Sequence, residues 1–379
     1  MRVSAPDLHV LMTADAVGGV WTYALDLAGG LVADGVAVTL AVLGPAPSGA
    51  QAAQAEAAGC RLRATGLPLD WTAPSPAALR DAGRALDALA RETNADLVHL
   101  HAAAFAPEIE GPVVAGCHSC VATWWAAVAS GPLPPDLAWR AERVAEGCRR
   151  ADALIAPSRA FAAATAHVHG LTRPPAVVHN GRRPVRGAPP LGDPAPFALT
   201  AGRLWDRAKN AALLDAAAAL SRLPIRAAGP TEGPNGDRAV LRHLDLLGTL
   251  DGASLAERLA RRPIFLSPAR YEPFGLAVLE AAQAGCALVL SDIPTFRELW
   301  SGAAAFVNPD DADALARTLD ALAADAPRRA ALGAAARERA GRYGVAAMVA
   351  GTRRVFDAVL AGRRPVSARQ GAAVEGAAA

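Results

Sequence analysis

Short apolar runs alternate with amphipathic stretches along most of the chain. Residues 8–14 form an apolar run that ends at Asp15 and two glycines, and residues 20–35 then carry apolar side chains at helical spacing. Residues 36–43 form a near-continuous run of β-branched and leucine residues, as expected for a strand buried on both faces. Further strands are predicted at 97–101, 113–116, 153–158 and 176–181, and amphipathic helices at 76–92 and 136–151.

A proline-rich segment divides the chain into two halves. Residues 182–196 carry five prolines and no periodicity, which is typical of a linker, and the pattern restarts after them. Strands are predicted at 197–202, 224–229, 263–268 and 287–292, and helices at 210–223, 254–262, 275–285, 311–325, 327–342 and 344–361. Strands that alternate with helices in both halves predict an α/β fold of two Rossmann-like, doubly wound parallel sheets that face each other across a cleft.

The predicted domain boundaries follow from this division. They are an N-terminal domain at 1–183, a linker at 184–196, a C-terminal domain at 197–343, a helix at 344–362 that packs back on the N-terminal domain, and a disordered tail at 363–379. The tail is assigned to disorder because its apolar content is too low for packing.

Charge and hydropathy exclude several classes of partner. The chain has 38 basic and 36 acidic side chains, a formal charge of +2, so we expect a small-molecule partner and no nucleic acid. No apolar run reaches the eighteen residues of a membrane span, and the first residues lack a basic-then-apolar export segment, which predicts a cytoplasmic protein. The sequence does not set an oligomeric state.

Five cysteines without an export signal do not predict a disulfide framework. Cys117 and Cys120 form a C-x-x-C pair that is open to a redox or zinc role. No second pair stands at metal-ligand spacing, which favours the alternative of two small apolar residues at a strand end.

Lys209 is the single lysine among the 38 basic residues, in a chain otherwise biased towards arginine. It shares with Arg203 a loop that follows a predicted strand and leads into a helix. Two cations there would bind a diphosphate and stabilise it as a leaving group without a metal ion. The alternative is a solvated charged loop, which leaves the solitary lysine without an explanation.

Two other loops stand at carboxyl ends of predicted strands, where open parallel sheets bind ligands. Gly18 and Gly19 allow a phosphate to approach the helix that follows, or they form a plain strand-to-helix turn. The second loop carries Glu272 before the turn of Pro273 and Gly275. Eight positions after Glu272, Glu280 lies on a mostly apolar helix, where its carboxylate needs a partner: a pair of sugar hydroxyls, a backbone group or an arginine.

The order of these motifs resembles retaining GT-B glycosyltransferases of family 4. The resemblance rests on GRLWDRAKN at 202–210 and on YEPFGLAVLEAAQAG at 271–285, with its two glutamates separated by seven residues. It extends over GGVWTYALDLAGGL, ADLVHLH, VVAGCHS, the HNG at 179–181, SDIPTFREL and FVNPDDADALA. The loop after Gly229 departs from the family's common G-x-G form.

The resemblance implies roles for individual residues. Arg203 and Lys209 would bind the donor diphosphate beside the glycine loop, Glu280 the nucleotide ribose, and Glu272 with His118 the transferred sugar. The catalytic set would be Glu272, His118, Arg203 and Lys209; the donor-binding set would be Gly18, Gly19, Arg203, Lys209, Gly248, Leu250, Phe274, Gly275, Leu276 and Glu280. The implied reaction moves a hexose-type sugar from a nucleotide-diphosphate sugar to an acceptor hydroxyl, with no metal or other cofactor.

The acceptor is a carbohydrate, a lipid-linked or a small-molecule hydroxyl compound by the same resemblance. Trp21, Trp124 and Trp125 are candidates for stacking on its sugar rings. Trp124 and Trp125 are equally consistent with packing, or with a weak membrane-contact edge that includes Arg143, Arg149 and Arg150. Two alternatives remain for the chain: a sugar-nucleotide epimerase of the same fold, and a non-catalytic nucleotide-sugar-binding protein.

Overall fold

The computed structural model describes residues 8–16, 19–184, 194–233 and 236–363. Gly18, most of the predicted linker and most of the predicted tail lie outside the described residues.

Within these ranges, seven parallel strands form the first sheet, in the spatial order β3-β2-β1-β4-β5-β6-β7. They are β1 (His9–Asp15), β2 (Ala37–Leu43), β3 (Arg61–Ala64), β4 (Leu97–Leu100), β5 (Val113–Gly116), β6 (Ala153–Ala156) and β7 (Ala176–Val177). The strand order reverses beside β1, whose neighbours are β2 and β4. Ligands of open parallel sheets bind at such a point, beyond the carboxyl ends of the strands.

The helices of the first half alternate with its strands. They are α1 (Gly19–Ala33), α2 (Gly49–Ala57), α3 (Pro76–Glu92), α4 (Val121–Val128), α5 (Pro135–Arg150) and α6 (Arg159–His169). Helix α3 begins where the sequence predicts, because the Ser75 side chain accepts a hydrogen bond from the Ala78 N–H and Pro76 occupies the first turn.

The second sheet repeats the same winding. Its six strands in the described part of the chain, all parallel, have the order β10-β9-β8-β11-β12-β13. They are β8 (Ala198–Ala201), β9 (Ile225–Ala228), β10 (Asp245–Gly248), β11 (Ile264–Ser267), β12 (Leu288–Ser291) and β13 (Ala305–Val307). The helices are α7 (Ala211–Ala218), α8 (Gly252–Ala260), α9 (Leu276–Gln283), α10 (Pro294–Trp300), α11 (Ala312–Ala324), α12 (Ala326–Ala340) and α13 (Val345–Arg363). The prediction of two doubly wound parallel sheets is confirmed.

Each sheet is buried on both faces. In β1, Val10 and Met12 belong to one apolar cluster, and Leu11 belongs to the cluster on the other face. Helix α13 completes the first of these clusters, since Met348 and Phe356 are buried in it beside residues of α1 and β1. Helix α13 is therefore part of the core of the first domain.

The chain crosses between the domains twice at nearly the same place. A Cβ atom on Gly181 would lie 2.4 Å from the carbonyl oxygen of Gly344, which is far too close, so glycine is required at 181. The N–H of Arg182 donates to the carbonyl of Tyr343 at 3.2 Å. The two crossing segments are thus in direct backbone contact.

No helix in the described part of the chain combines the length and the apolar character needed to cross a membrane.

Gly147 in α5 tests how closely this helix packs in the first domain. A Cβ atom there would lie 1.8 Å from the carbonyl oxygen of Ala103, a backbone atom that a rotamer change cannot move. We expect Gly147→Ala to reduce the free energy of unfolding by about 2 kcal/mol. A thermal melt is then expected to shift down by roughly 4–8 °C.

Gly49→Ala is the matched control, because Gly49 is an exposed residue of α2 with open space around its Cβ position. An equal melting temperature for the two variants would contradict the close packing of α5.

Candidate functional site

The carboxyl ends of the two sheets are joined by a small set of polar contacts between the domains. The Tyr271 hydroxyl, in the loop after β11, lies 2.8 Å from the Thr123 hydroxyl and donates to the Ser119 hydroxyl at 3.2 Å. The Ser158 hydroxyl donates to the carbonyl of Pro273 at 2.9 Å. These contacts place the loops of the predicted site opposite each other.

Lys209 and Glu272 form an ion pair at the end of the second sheet. The Nζ atom of Lys209 lies 2.5 Å from Oε2 of Glu272, and both side chains are mostly buried. Asn210 has a positive φ of 58°, and its side-chain amide donates to the carbonyls of Pro268 and Pro309. This anchor fixes the loop against the ends of β11 and β13 and thereby brings Lys209 to Glu272.

Arg203 lies on the same loop with half of its side chain exposed. Its Nη2 atom is 2.9 Å from Oδ2 of Asp206. The other Asp206 oxygen accepts from the Ala208 N–H at 2.9 Å and from the Trp124 indole N–H of the first domain at 3.0 Å. Asp206 thus orients Arg203 and links the loop to the opposite domain, a role that the sequence analysis missed because the contact joins residues 82 positions apart.

The turn before α9 lies against the N-terminus of α1 in the first domain. Gly275 has a φ of 91°, a conformation that favours glycine, and Leu276 begins the helix. Phe274 is buried beneath the turn, with its ring 5.6 Å from that of Tyr343. A Cβ atom on Gly19, the first residue of α1, would lie 3.7 Å from Leu276. Two helix N-termini therefore meet here, which is a favourable arrangement for an anion.

Gly248, at the end of β10, is held by backbone contacts to the neighbouring strand ends. Its carbonyl accepts from the Gly229 N–H at 2.8 Å, and a Cβ atom on Gly229 would collide with the carbonyl of Gly202. The ends of β8, β9 and β10 are thus side by side, and Leu250 follows directly after them, half-buried.

Glu280 is paired with an arginine, one of the partners that the sequence left open. Its Oε1 atom is 2.8 Å from both Nε and Nη2 of Arg182, and the Arg182 Nη1 atom is 2.6 Å from Oδ2 of Asp26 on α1. Burial raises the pKa of the Glu280 carboxyl, and the Arg182 charge opposes that shift. Sequence reasoning missed Arg182 because only the fold brings its segment to α9.

His118 lies at the end of β5 against two other aromatic rings. Its ring centroid is 4.3 Å from that of Tyr23 and 5.2 Å from that of His101. Burial, with the nearby His99 ring, lowers the pKa of His118 to about 3, so the imidazole is neutral at physiological pH. Its Nε2 atom has no hydrogen-bond partner among the described residues.

Comparison with known proteins identifies the family of this architecture. A model described as Glycosyltransferase Family 4 matches residues 17–186, and one described as Glycosyl transferases group 1 matches residues 186–339. The two models adjoin and together span both domains. The chain belongs to the GT-B glycosyltransferases of family 4.

One curated relative is the phosphatidyl-myo-inositol mannosyltransferase of Mycolicibacterium smegmatis. It is 35% identical over 120 residues, which cover 31% of this chain and 31% of that protein. The match thus spans about a third of the relative's length.

Solved structures share the fold over nearly the whole chain. Sucrose-phosphate synthase from Thermosynechococcus elongatus has a TM-score of 0.78 at 18% identity, and covers 94% of this chain and 100% of its own. The Anabaena protein HepE, solved in complex with UDP-glucose, has a TM-score of 0.70 at 18% identity, with coverage of 93% and 100%. Both likenesses support the GT-B fold that the sequence predicts.

The structure corrects part of the predicted acceptor surface. Trp21 is buried in the first core and its indole N–H donates to Gln54 at 3.2 Å, so it packs within the domain and does not line the cleft. Trp125 donates to the carbonyl of Gly131, whereas Trp124 reaches Asp206 across the domains.

The predicted membrane-contact edge is also corrected at Arg143. That side chain is buried in ion pairs with Glu108 and Glu146, at 2.5 Å and 2.8 Å, and does not reach the surface.

The cysteines of the described residues are free thiols. Cys120 caps α4, and its Sγ atom lies 3.3 Å from Nε2 of His169. Among the described residues, no group of three or more histidine, cysteine or acidic side chains is arranged to bind a metal ion.

The buried histidines behind the site predict a pH-dependent stability. Burial lowers the pKa of the fully buried His99 to about 4, so between pH 4 and 6.5 this side chain is protonated in the unfolded chain and neutral in the folded chain. The stability from a neutral His99 is complete above pH 6.5 and is lost as the pH falls. We expect His99→Gln to remove about 1.4 kcal/mol per pH unit from the slope of unfolding free energy in that window.

Urea unfolding between pH 4.5 and 7 measures this slope. His243→Gln, at an exposed residue, is the control and should leave the slope unchanged. The account of His99 is wrong if both variants keep the slope of the parent chain.

Proposed function

We propose that this chain is a retaining, metal-independent glycosyltransferase. It moves a hexose-type sugar from a nucleotide-diphosphate sugar to an acceptor hydroxyl. The observation that carries the proposal is the Lys209–Glu272 pair, which stands beside the glycine turn and N-terminus of α9. This arrangement provides a cation for the leaving diphosphate and a carboxylate for sugar hydroxyls within one loop cluster.

The donor diphosphate binds where the cations and helix N-termini of the site lie. Lys209 has three donors, so its ammonium can contact a phosphate oxygen while it keeps Glu272 in place. Arg203, half-exposed and oriented by Asp206, adds a second cation. The N–H groups of Phe274, Gly275 and Leu276 and the start of α1 at Gly19 add helix-terminal dipoles. We assign the base to the backbone around Gly248 and Leu250.

The transferred sugar lies between Glu272 and His118. A neutral imidazole is a hydrogen-bond partner rather than an acid, in agreement with the low pKa of His118. Lys209 holds the Glu272 carboxylate in place, and Glu272 orients the sugar hydroxyls. It does not act as a nucleophile in a mechanism in which the acceptor itself attacks the anomeric carbon.

Retention follows if attack and departure use the same face of the sugar. The bond from the anomeric carbon to the phosphate oxygen breaks, and the bond to the acceptor oxygen forms on that face. The acceptor proton passes to the departing phosphate oxygen. Lys209 and Arg203 stabilise the charge that develops on the diphosphate.

The comparisons support the classes of donor and acceptor. HepE was solved with UDP-glucose, which supports a nucleotide-diphosphate hexose donor. The relative that acts as a phosphatidyl-myo-inositol mannosyltransferase supports a lipid-linked acceptor among the candidates, beside carbohydrates and small molecules.

Replacement of the single lysine tests the catalytic assignment. We expect Lys209→Ala to reduce turnover by about 100-fold or more, because it removes a cation from the leaving group. Turnover is measured as nucleoside diphosphate release from the UDP-, GDP- or ADP-sugar that gives the largest thermal shift. Arg207→Ala is the control, since Arg207 lies on the same loop but its exposed side chain donates to the carbonyl of Val128.

Near-normal turnover of Lys209→Ala would overturn the assignment. Conversion of the donor sugar without any acceptor would indicate an epimerase. Donor binding without hydrolysis or transfer would indicate a non-catalytic binding protein.

Chelation tests the absence of a metal requirement. We expect EDTA to leave the rate unchanged, because the two cations take the place of a divalent ion at the diphosphate. A loss of activity that magnesium or manganese restores would contradict the proposal.

A further inference from the structure

We propose that Arg182 is a positioning residue for the donor, one that holds the Glu280 carboxylate ionised and oriented for the ribose hydroxyls. This inference rests on the proposed function, and it assigns a role to a residue that contacts neither the diphosphate site nor the sugar site.

Arg182 is fixed from several directions. Its guanidinium bonds Glu280 on α9 through two nitrogens and Asp26 on α1 through the third. Its carbonyl accepts from the Gln283 side chain at 3.1 Å, and its N–H donates to Tyr343. The side chain is 18% exposed, so water screens these ion pairs poorly.

The contacts of Arg182 leave one oxygen of the Glu280 carboxylate for a ligand. Both Arg182 nitrogens reach Oε1 of Glu280, and no hydrogen bond reaches Oε2 from the described residues. An ionised carboxylate accepts at both oxygens, so Oε2 can accept from ribose hydroxyls while Oε1 stays with the arginine. Arg182 therefore complements the ribose and does not compete with it.

The charge balance explains why an arginine is needed. The charged groups of the described residues that face Glu280 are Arg182, on the segment after β7, and Asp26, on α1. Burial and the Asp26 charge raise the pKa of Glu280, and Arg182 opposes both. Without the guanidinium the carboxyl would take up a proton more readily and would lose part of its acceptor capacity.

Nucleotide binding with and without a ribose hydroxyl isolates this role. The probes are UDP, GDP and ADP with their 2′-deoxy forms, using the base that binds most tightly in calorimetry. We expect the parent chain to prefer the ribose form by about 10- to 100-fold, the size of one hydrogen bond to a charged group. In Arg182→Gln we expect the preference to fall to about threefold or less, and to recover as the pH is raised and Glu280 ionises.

Arg183→Gln is the matched control. The Nε atom of Arg183 lies 3.6 Å from Oδ1 of Asp26, and the structure shows no contact between Arg183 and Glu280. The substitution therefore removes the same charge one position away from Arg182. We expect it to keep the full ribose preference. Equal preferences in Arg182→Gln, Arg183→Gln and the parent chain would overturn the inference, as would a reduced preference in Arg182→Gln that does not recover with pH.

Arg182→Lys covers the case in which Arg182→Gln does not fold. An ammonium cannot reach Asp26 and Glu280 with the same fork, so we expect at least a threefold loss of preference. An unchanged preference in this variant would also overturn the inference. If the parent chain binds none of the nucleotides, the proposed function itself fails. This outcome is distinct from a failure of the inference about Arg182, in which the parent chain binds nucleotides.

Discussion

The relation between the two domains depends on the backbone contact where the chain crosses between them. Gly181 and Arg182 leave the first domain against Tyr343 and Gly344, which return to it. Because only glycine fits at 181, neither of the two crossing segments can move apart or take a larger side chain at this point without losing the contact. The contacts of Tyr271, Ser158 and Trp124 lie apart from it in sequence and are hydrogen bonds of side chains. The crossing thus holds the two connecting segments together, and the polar contacts define the arrangement of the loops on either side of the domain boundary.

The charges of the site are arranged in pairs of opposite sign. Lys209 is paired with Glu272, Arg203 with Asp206, and Arg182 with Asp26 and Glu280. Buried charges without partners are costly, so these pairs let a polar site exist between two apolar cores. They also fix side-chain orientations in advance, which reduces the ordering that a ligand must impose. Lys209 and Arg203 retain unused donors for a phosphate or sugar oxygen.

Much of the fold could be predicted from the sequence because β1, β2 and β11 are buried on both faces and read as apolar runs. Strand β3 escaped notice because RLRA is a mostly exposed edge strand, and α2 because it is rich in alanine and glutamine and has no strong apolar face. The loops of Lys209 and Glu272 could be placed at strand ends from their order alone. The Arg182–Glu280 contact could not, since it joins residues 98 positions apart through the fold.

The location of α13 has a consequence for synthesis on the ribosome. Helix α13 contributes Met348, Val349, Phe356 and Val359 to a core whose other buried members come from the first half of the chain. That half is therefore synthesised well before the residues that close its apolar surface. The first domain therefore cannot complete its core while the second is translated, and it reaches its final packing only after α13 has been synthesised. Nascent chains of this protein expose an apolar surface for longer than a strictly sequential two-domain protein would.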